Sequence, residues 1–300
     1  MGGDVQERPP SGLTRAGRDF LYAFHAMATP CEVRVETDRE GLARQVGQRV
    51  EAEARRIEEK FSRYRSDSVI AMINTGKEIS VDPETSSLLT YAAQCFELSG
   101  GLFDITSGVL RRAWKFDGSD NVPAPAAVKA LRTLVGWNKV SWNPPTLKLP
   151  AAMEIDFGGV AKEYAVDRSL ALGQTETMEP MLVNFGGDLV VSGRRKDGEP
   201  WRVAIASVDS DDSLAGLLEL SSGALATSGD ARRFLLKDGI RYGHILDPRT
   251  GWPVKETPRS VTVAAATCVE AGMTATLAVL QGRRAEVFLK REGVRAWCIR

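Results

Sequence analysis

Cysteine is scarce and nowhere closely paired: the chain has four, Cys31, Cys95, Cys268 and Cys298, and no CxxC spacing. That pattern argues against the common zinc sites and supplies no disulfide framework, so most of these thiols are expected to be small buried side chains. Excess charge of one sign is also lacking. Lys plus Arg and Asp plus Glu both number 39, so no positive field draws nucleic acid or an anionic membrane, and neither partner is expected. No stretch is apolar enough to span a bilayer, and residues 1–18 contain no apolar run with the core of a secretory signal. As written, the chain is expected in the cytoplasm, or exported if a leader has been removed. Internal repeats are absent, and histidine occurs only twice, as His25 and His244.

What is present is enough apolar material for a large core: 43% of 300 residues are hydrophobic. Residues 1–21 read as a disordered tail, and residues 22–300 as a single domain. Cys31 to Thr37 alternates like a strand. Leu42, Val46, Val50, Ala54 and Ile57 recur at helical spacing, predicting a helix from Glu40 to Phe61. Shorter helices are expected over Val69–Asn74, capped by Ser66 or Asp67, and over Pro83–Ser99, Pro125–Val135 and Val269–Leu280. Strand candidates are Met181–Val191, Trp201–Ala206, Gly223–Thr227, Tyr242–Leu246 and Ser260–Ala265, with a hairpin across Asn143-Pro144-Pro145. No strand-helix-strand rhythm appears. The fold class read from this order is α+β, mostly antiparallel sheets with packed helices.

Polar groups beside glycine recur where strands end. They are Asp104-Ile105-Thr106-Ser107-Gly108, Asp156-Phe157-Gly158-Gly159-Val160-Ala161-Lys162, Asn184-Phe185-Gly186-Gly187-Asp188, and Thr227-Ser228-Gly229-Asp230. The last is followed by His244-Ile245-Leu246-Asp247-Pro248-Arg249-Thr250-Gly251, across apolar positions (Phe234, Leu235, Leu236, Ile240) that suit a hairpin. Each alone is ordinary turn chemistry. Together they bring close-approach backbone and polar side chains to several strand ends, and the second, opening a helix, suits phosphate oxygens best.

Adding Met27-Ala28-Thr29-Pro30, Phe61-Ser62-Arg63-Tyr64, Trp114-Lys115-Phe116 and Ser260-Val261-Thr262-Val263, the succession from about residue 22 to 300 resembles the FAD:protein FMN transferase family, the ApbE-like flavin transferases. The resemblance implies that the chain binds FAD and, with Mg2+, transfers FMN to a threonine or serine of an acceptor flavoprotein, releasing AMP. It implies that Met27, Tyr64, Ile245 and the Trp114-Lys115-Phe116 segment line the flavin and adenine, that Asp156 holds the nucleotide, and that Lys162 sits near the phosphates. Ser228, Asp230 and His244 would face the scissile bond, with His244 or Asp230 as the base; Asp247 and Thr250 shape their turn. Trp114 and Phe116 also suit plain core packing, and Lys162 a solvated helix face.

Two positions depart from the family pattern. The resemblance implies metal ligands on the last long helix, an aspartate and a hydroxyl four residues on; Thr276 supplies the hydroxyl, but Gly272 stands in the aspartate's place. That leaves Thr276 and a backbone carbonyl near Gly159 as candidate ligands, both neutral, which weakens the expected Mg2+ site. Glu163 stands where the family has glycine after the lysine. Alternative readings are therefore a non-catalytic FAD-binding protein or an FAD pyrophosphatase.

Overall fold

A computed structural model describes residues 9–206, 214–230 and 233–300. In chain order the strands are β1 Gly12–Ala16, β2 Asp19–Ala26, β3 Thr29–Val35, β4 Ile79–Ser80, β5 Ser141–Asn143, β6 Thr146–Lys148, β7 Met181–Phe185, β8 Asp188–Val191, β9 Trp201–Ala206, β10 Leu214–Leu220, β11 Gly223–Ser228, β12 Phe234–Lys237, β13 Ile240–Gly243, β14 Ser260–Ala265 and β15 Arg295–Ile299. The helices are α1 Glu40–Phe61, α2 Val69–Ile73, α3 Pro83–Leu98, α4 Pro125–Arg132, α5 Ala161–Glu176, α6 Cys268–Leu280 and α7 Ala285–Glu292. Eight strands form one sheet, ordered β1-β2-β3-β7-β8-β11-β14-β15, with antiparallel pairing throughout.

Apolar side chains on one face of this sheet pack under α1, α5 and α6 in the largest core cluster. Helix α1 earns its place through Ala43, Val46, Val50, Ala54, Ile57 and Phe61, which recur every three or four residues and are all buried. The β9-β10 hairpin places Trp201, Ile205, Leu218 and Leu220 against Leu182, Leu189, Val191 and Leu225 in a second cluster. A third gathers Val109, Leu110, Trp114, Val128, Val135 and Leu235 beneath the β12-β13 hairpin. The α+β class with antiparallel sheets is thus the observed one.

Some expectations need correction. The tail expected through residue 21 contributes strand β1 and the first three residues of β2, a strand whose Phe20, Tyr22 and Phe24 supply buried side chains on alternate positions; residues 1–8 lie outside the described residues. The cap of α2 is Ser68 rather than Ser66 or Asp67, its hydroxyl accepting from the Ala71 N–H at 2.9 Å. The hairpin across Pro144-Pro145 forms between β5 and β6. No helix among the described residues is long and apolar enough to cross a membrane.

Candidate active site

A cleft of about 1310 Å³ opens at one end of the main sheet, and eight of the singled-out segments meet there. Two adjacent hairpin turns form one wall. Met27 and Ala28 connect β2 to β3 with φ of 54° and 58°, and Gly186-Gly187 connects β7 to β8 with φ of 63° and 98°. Positive φ at both central positions is what a tight two-residue hairpin requires. Glycine meets that without cost at 186, where the Thr29 hydroxyl fills the space a Cβ would need. Met27 and Ala28 accept the strained geometry with side chains present, and Met27 lines the cleft.

The opposite wall is set by Asp156. Its Oδ1 accepts from the Gly158 N–H at 2.9 Å, and its Oδ2 meets Arg63 Nη1 at 3.1 Å and Arg111 Nε at 3.4 Å. Two arginines are thereby held at the rim by one carboxylate. Tyr64, 85% exposed, stands beside Arg63 at the cleft mouth and leaves a ring face free to cover a flat ligand. Asp104, in the neighbouring turn, accepts from the Thr106 hydroxyl at 2.6 Å and from the Trp137 N–H at 3.0 Å, so it braces the wall.

Behind the Gly158-Gly159 turn, the first turn of α5 carries Lys162 and Glu163 into the cleft. Lys162 Nζ pairs with Asp188 Oδ2 at 2.7 Å, and Asp188 Oδ1 accepts from the Thr227 N–H at 2.9 Å. Burial opposes the ammonium charge, yet Asp188 and Glu163 outweigh it and raise the lysine's pKa. Glu163 is 8% exposed, and its Oε2 has no hydrogen-bond partner among the described residues. Its pKa is pushed up by burial and then by the Asp188 charge. At the end of β11, Ser228 Oγ accepts from the Thr276 hydroxyl of α6 at 3.2 Å.

His244 sits across from these groups. Its Nδ1 lies 3.3 Å from the Arg233 carbonyl; a carbonyl only accepts, so a hydrogen bond there puts the proton on Nδ1 and the lone pair on Nε2. Burial, then the charges of Arg111 and Arg233 with a smaller contribution from Lys162, lowers its pKa to about 4. The imidazole is therefore neutral near pH 7, within a ring of positive charge suited to an anionic ligand.

Met27, Tyr64, Asp156, Gly159, Lys162, Ser228, His244, Ile245 and Thr276 all line this one cleft. Four others do not line it. Trp114 is buried in the third cluster with its Nε1 donating to the Gly251 carbonyl at 2.9 Å, Phe116 stacks on it and presents an edge to His244, and Lys115 is exposed. The segment thus backs His244. Asp230 is buried and faces Arg241 Nε at 3.3 Å and Arg259 Nε at 3.8 Å. Asp247 and Thr250 hold their turn, accepting from the Arg249 and Trp252 N–H groups at 2.9 Å and 3.2 Å. Sequence reasoning passed over Arg111, Arg233 and Arg259, which have no distinctive spacing, and gave His25 no role, although all four line the cleft; Arg63 was quoted within its motif without a role.

Residues 27–298 match the ApbE family. The chain belongs to that family. Among curated relatives it is 32% identical over 234 residues to the FAD:protein FMN transferase of Vibrio cholerae, covering 75% of this chain and 70% of that protein. The Salmonella typhimurium protein of the same name is 30% identical over 253 residues, covering 80% and 72%. Among solved structures, the ApbE protein of Thermotoga maritima superposes with a TM-score of 0.85 at 29% identity, covering 93% of this chain and 94% of that one. The flavinyl transferase ApbE of Pseudomonas stutzeri gives 0.82 at 28% identity, covering 96% and 93%.

For an ApbE chain, the fit of a divalent cation needs testing on its own oxygens. Among the described residues, no group of three or more His, Cys, Asp or Glu side chains could hold a metal ion by itself. Magnesium, however, commonly takes one or two carboxylates and leaves its other positions to water and substrate phosphates. The orphaned Glu163 oxygen, the Thr276 hydroxyl and the Gly159 backbone at the cleft supply hard oxygen donors of that kind, so the residues present fit such an ion.

Proposed function

We propose that this chain is an FAD:protein FMN transferase. It takes FAD as substrate, joins the FMN phosphate to a threonine or serine hydroxyl of an acceptor flavoprotein, and releases AMP. The observation that carries the reading is the neutral His244, with the lone pair on Nε2 and with Arg111, Arg233 and Lys162 lining the same cleft, which is roomy enough for a dinucleotide. The names of the relatives support it.

In this reading Tyr64 and Met27 give the flat rings apolar surface, while Lys162 and the arginines set the diphosphate in place. The acceptor oxygen forms a bond to the phosphorus on the flavin side, the anhydride bond to AMP breaks, and the hydroxyl proton passes to His244 Nε2. A bound Mg2+, held by Thr276, the Gly159 carbonyl and a carboxylate, would offset the growing charge on the phosphate oxygens. Ser228, tied to Thr276, orients that hydroxyl.

The test is a product count with FAD, Mg2+ and an acceptor domain carrying the target threonine. Acceptor gaining the mass of FMN, with AMP released one for one, is expected. Free FMN and AMP with unmodified acceptor would make the chain a pyrophosphatase, and neither product would make it a binding protein; each contradicts the proposal.

A further inference from the structure

Helices α5 and α6 run antiparallel in a register visible at two points. The Asp167 carboxylate accepts from the Cys268 and Val269 N–H groups at 2.8 Å and 3.0 Å, capping α6 from α5. One turn toward the cleft on each helix, Glu163 lies against Gly272: a Cβ on residue 272 would stand 2.6 Å from Glu163 Cγ and 3.0 Å from its Oε1. One turn further, the same register brings the Gly159 turn and Thr276 to the cleft, which both line.

The Glu163 side chain therefore occupies the volume that residue 272 leaves empty. Any side chain at 272 would meet it, so Glu163 as it stands and a side chain at 272 exclude each other. The carboxylate is buried and faces the cleft with one oxygen unpartnered, close enough to Asp188 for their charges to repel. The nearby Lys162 is already engaged at 2.7 Å by Asp188. Lys162 attracts this carboxylate but is shared with Asp188, so the buried negative charge is only partly offset, and a cation at the free oxygen removes the remaining cost.

We infer that Glu163 supplies the carboxylate ligand of a divalent cation from α5, in the place where an aspartate on α6 would otherwise stand, and that Gly272 is the vacancy that admits it. The donors are hard oxygens, so the ion is of the Mg2+ or Mn2+ class. The inference deepens the proposed function, because the cation serves the diphosphate of that same cleft.

Uptake of Mn2+ alone by the metal-stripped full chain, followed by electron paramagnetic resonance, separates the two. Wild type is expected to bind one Mn2+, and Glu163→Gln to weaken binding roughly tenfold or more. Gly272→Asp alone should also weaken it, by collision with Glu163, whereas Glu163→Gly combined with Gly272→Asp should recover most of the loss. Thermal melting gives an independent readout: without metal, Glu163→Gln should melt no lower than wild type, and it should lose the rise in Tm that Mn2+ gives wild type. Unchanged Mn2+ affinity in Glu163→Gln, or no Mn2+ uptake by wild type, overturns the inference even if FAD is bound and turned over. Uptake through Glu163 by a chain that binds no FAD would sink the transferase reading and uphold this one.

Discussion

At the scale of single residues, His244 bears most of the chemistry and its surroundings set its pH range. Protonation is disfavoured by burial and by Arg111 and Arg233, which puts its pKa at about 4. A base must be unprotonated, so with Mg2+ saturating, which holds Glu163 ionised, kcat/KM should hold level as pH falls from 7 through 5 and decline only toward pH 4. An acid limb centred at the ordinary histidine value of about 6.5 would contradict this. The experiment is a pH series with FAD far below saturation, folding being checked by circular dichroism. Replacing His244 by Gln should cut transfer by about 10²–10⁴-fold and leave FAD affinity unchanged; loss of both together would place the residue in binding instead. His244 was legible because a polar turn motif flanks it. Arg111 and Arg233 were not, since isolated arginines carry no periodicity. Glu163 read as a misplaced charge, because its partner Gly272 lies far along the chain and only the fold brings the two together.

At the scale of elements, the site depends on how α5 is locked to α6. Asp167 is the connection: it satisfies two of the N–H groups that a helix start leaves open. Asp167→Ala should cost about 1–2 kcal/mol, as loss of a helix cap does, and lower Tm by several degrees. Because the same register sets Glu163 against Gly272, Mn2+ affinity should fall as well. A variant with unaltered Tm and Mn2+ uptake would show that the helices need no such connection. Periodicity revealed the long elements: α1, α3 and α6 stand close to where spacing put them. Short edge elements escaped it. Strand β1 exposes most of its residues, and α7 and β15 bury few side chains fully, so none shows a strong apolar rhythm.

At the scale of the whole molecule, the antiparallel sheet serves as a frame whose strand ends deliver separate turns to one cleft. The turns at 27–30, 156–162, 184–188 and 227–229 arrive from strands and helices distant in sequence, and the segment around His244 is carried in by the β12-β13 hairpin over its own small core. That convergence could be suspected from the ordered motifs, as could core packing of Trp114 and Phe116, but not the placement of Asp230 behind the wall, which follows from packing that no local pattern records. The central claim is that this cleft holds a flavin dinucleotide by its diphosphate. Isothermal titration of the full chain with FAD in the presence of Mg2+ tests it most directly, with FMN as the comparison ligand. The account predicts saturable binding of one FAD, weakened when Mg2+ is removed, and much weaker binding of FMN; absence of FAD binding with and without Mg2+, or equal affinity for FMN, would contradict it.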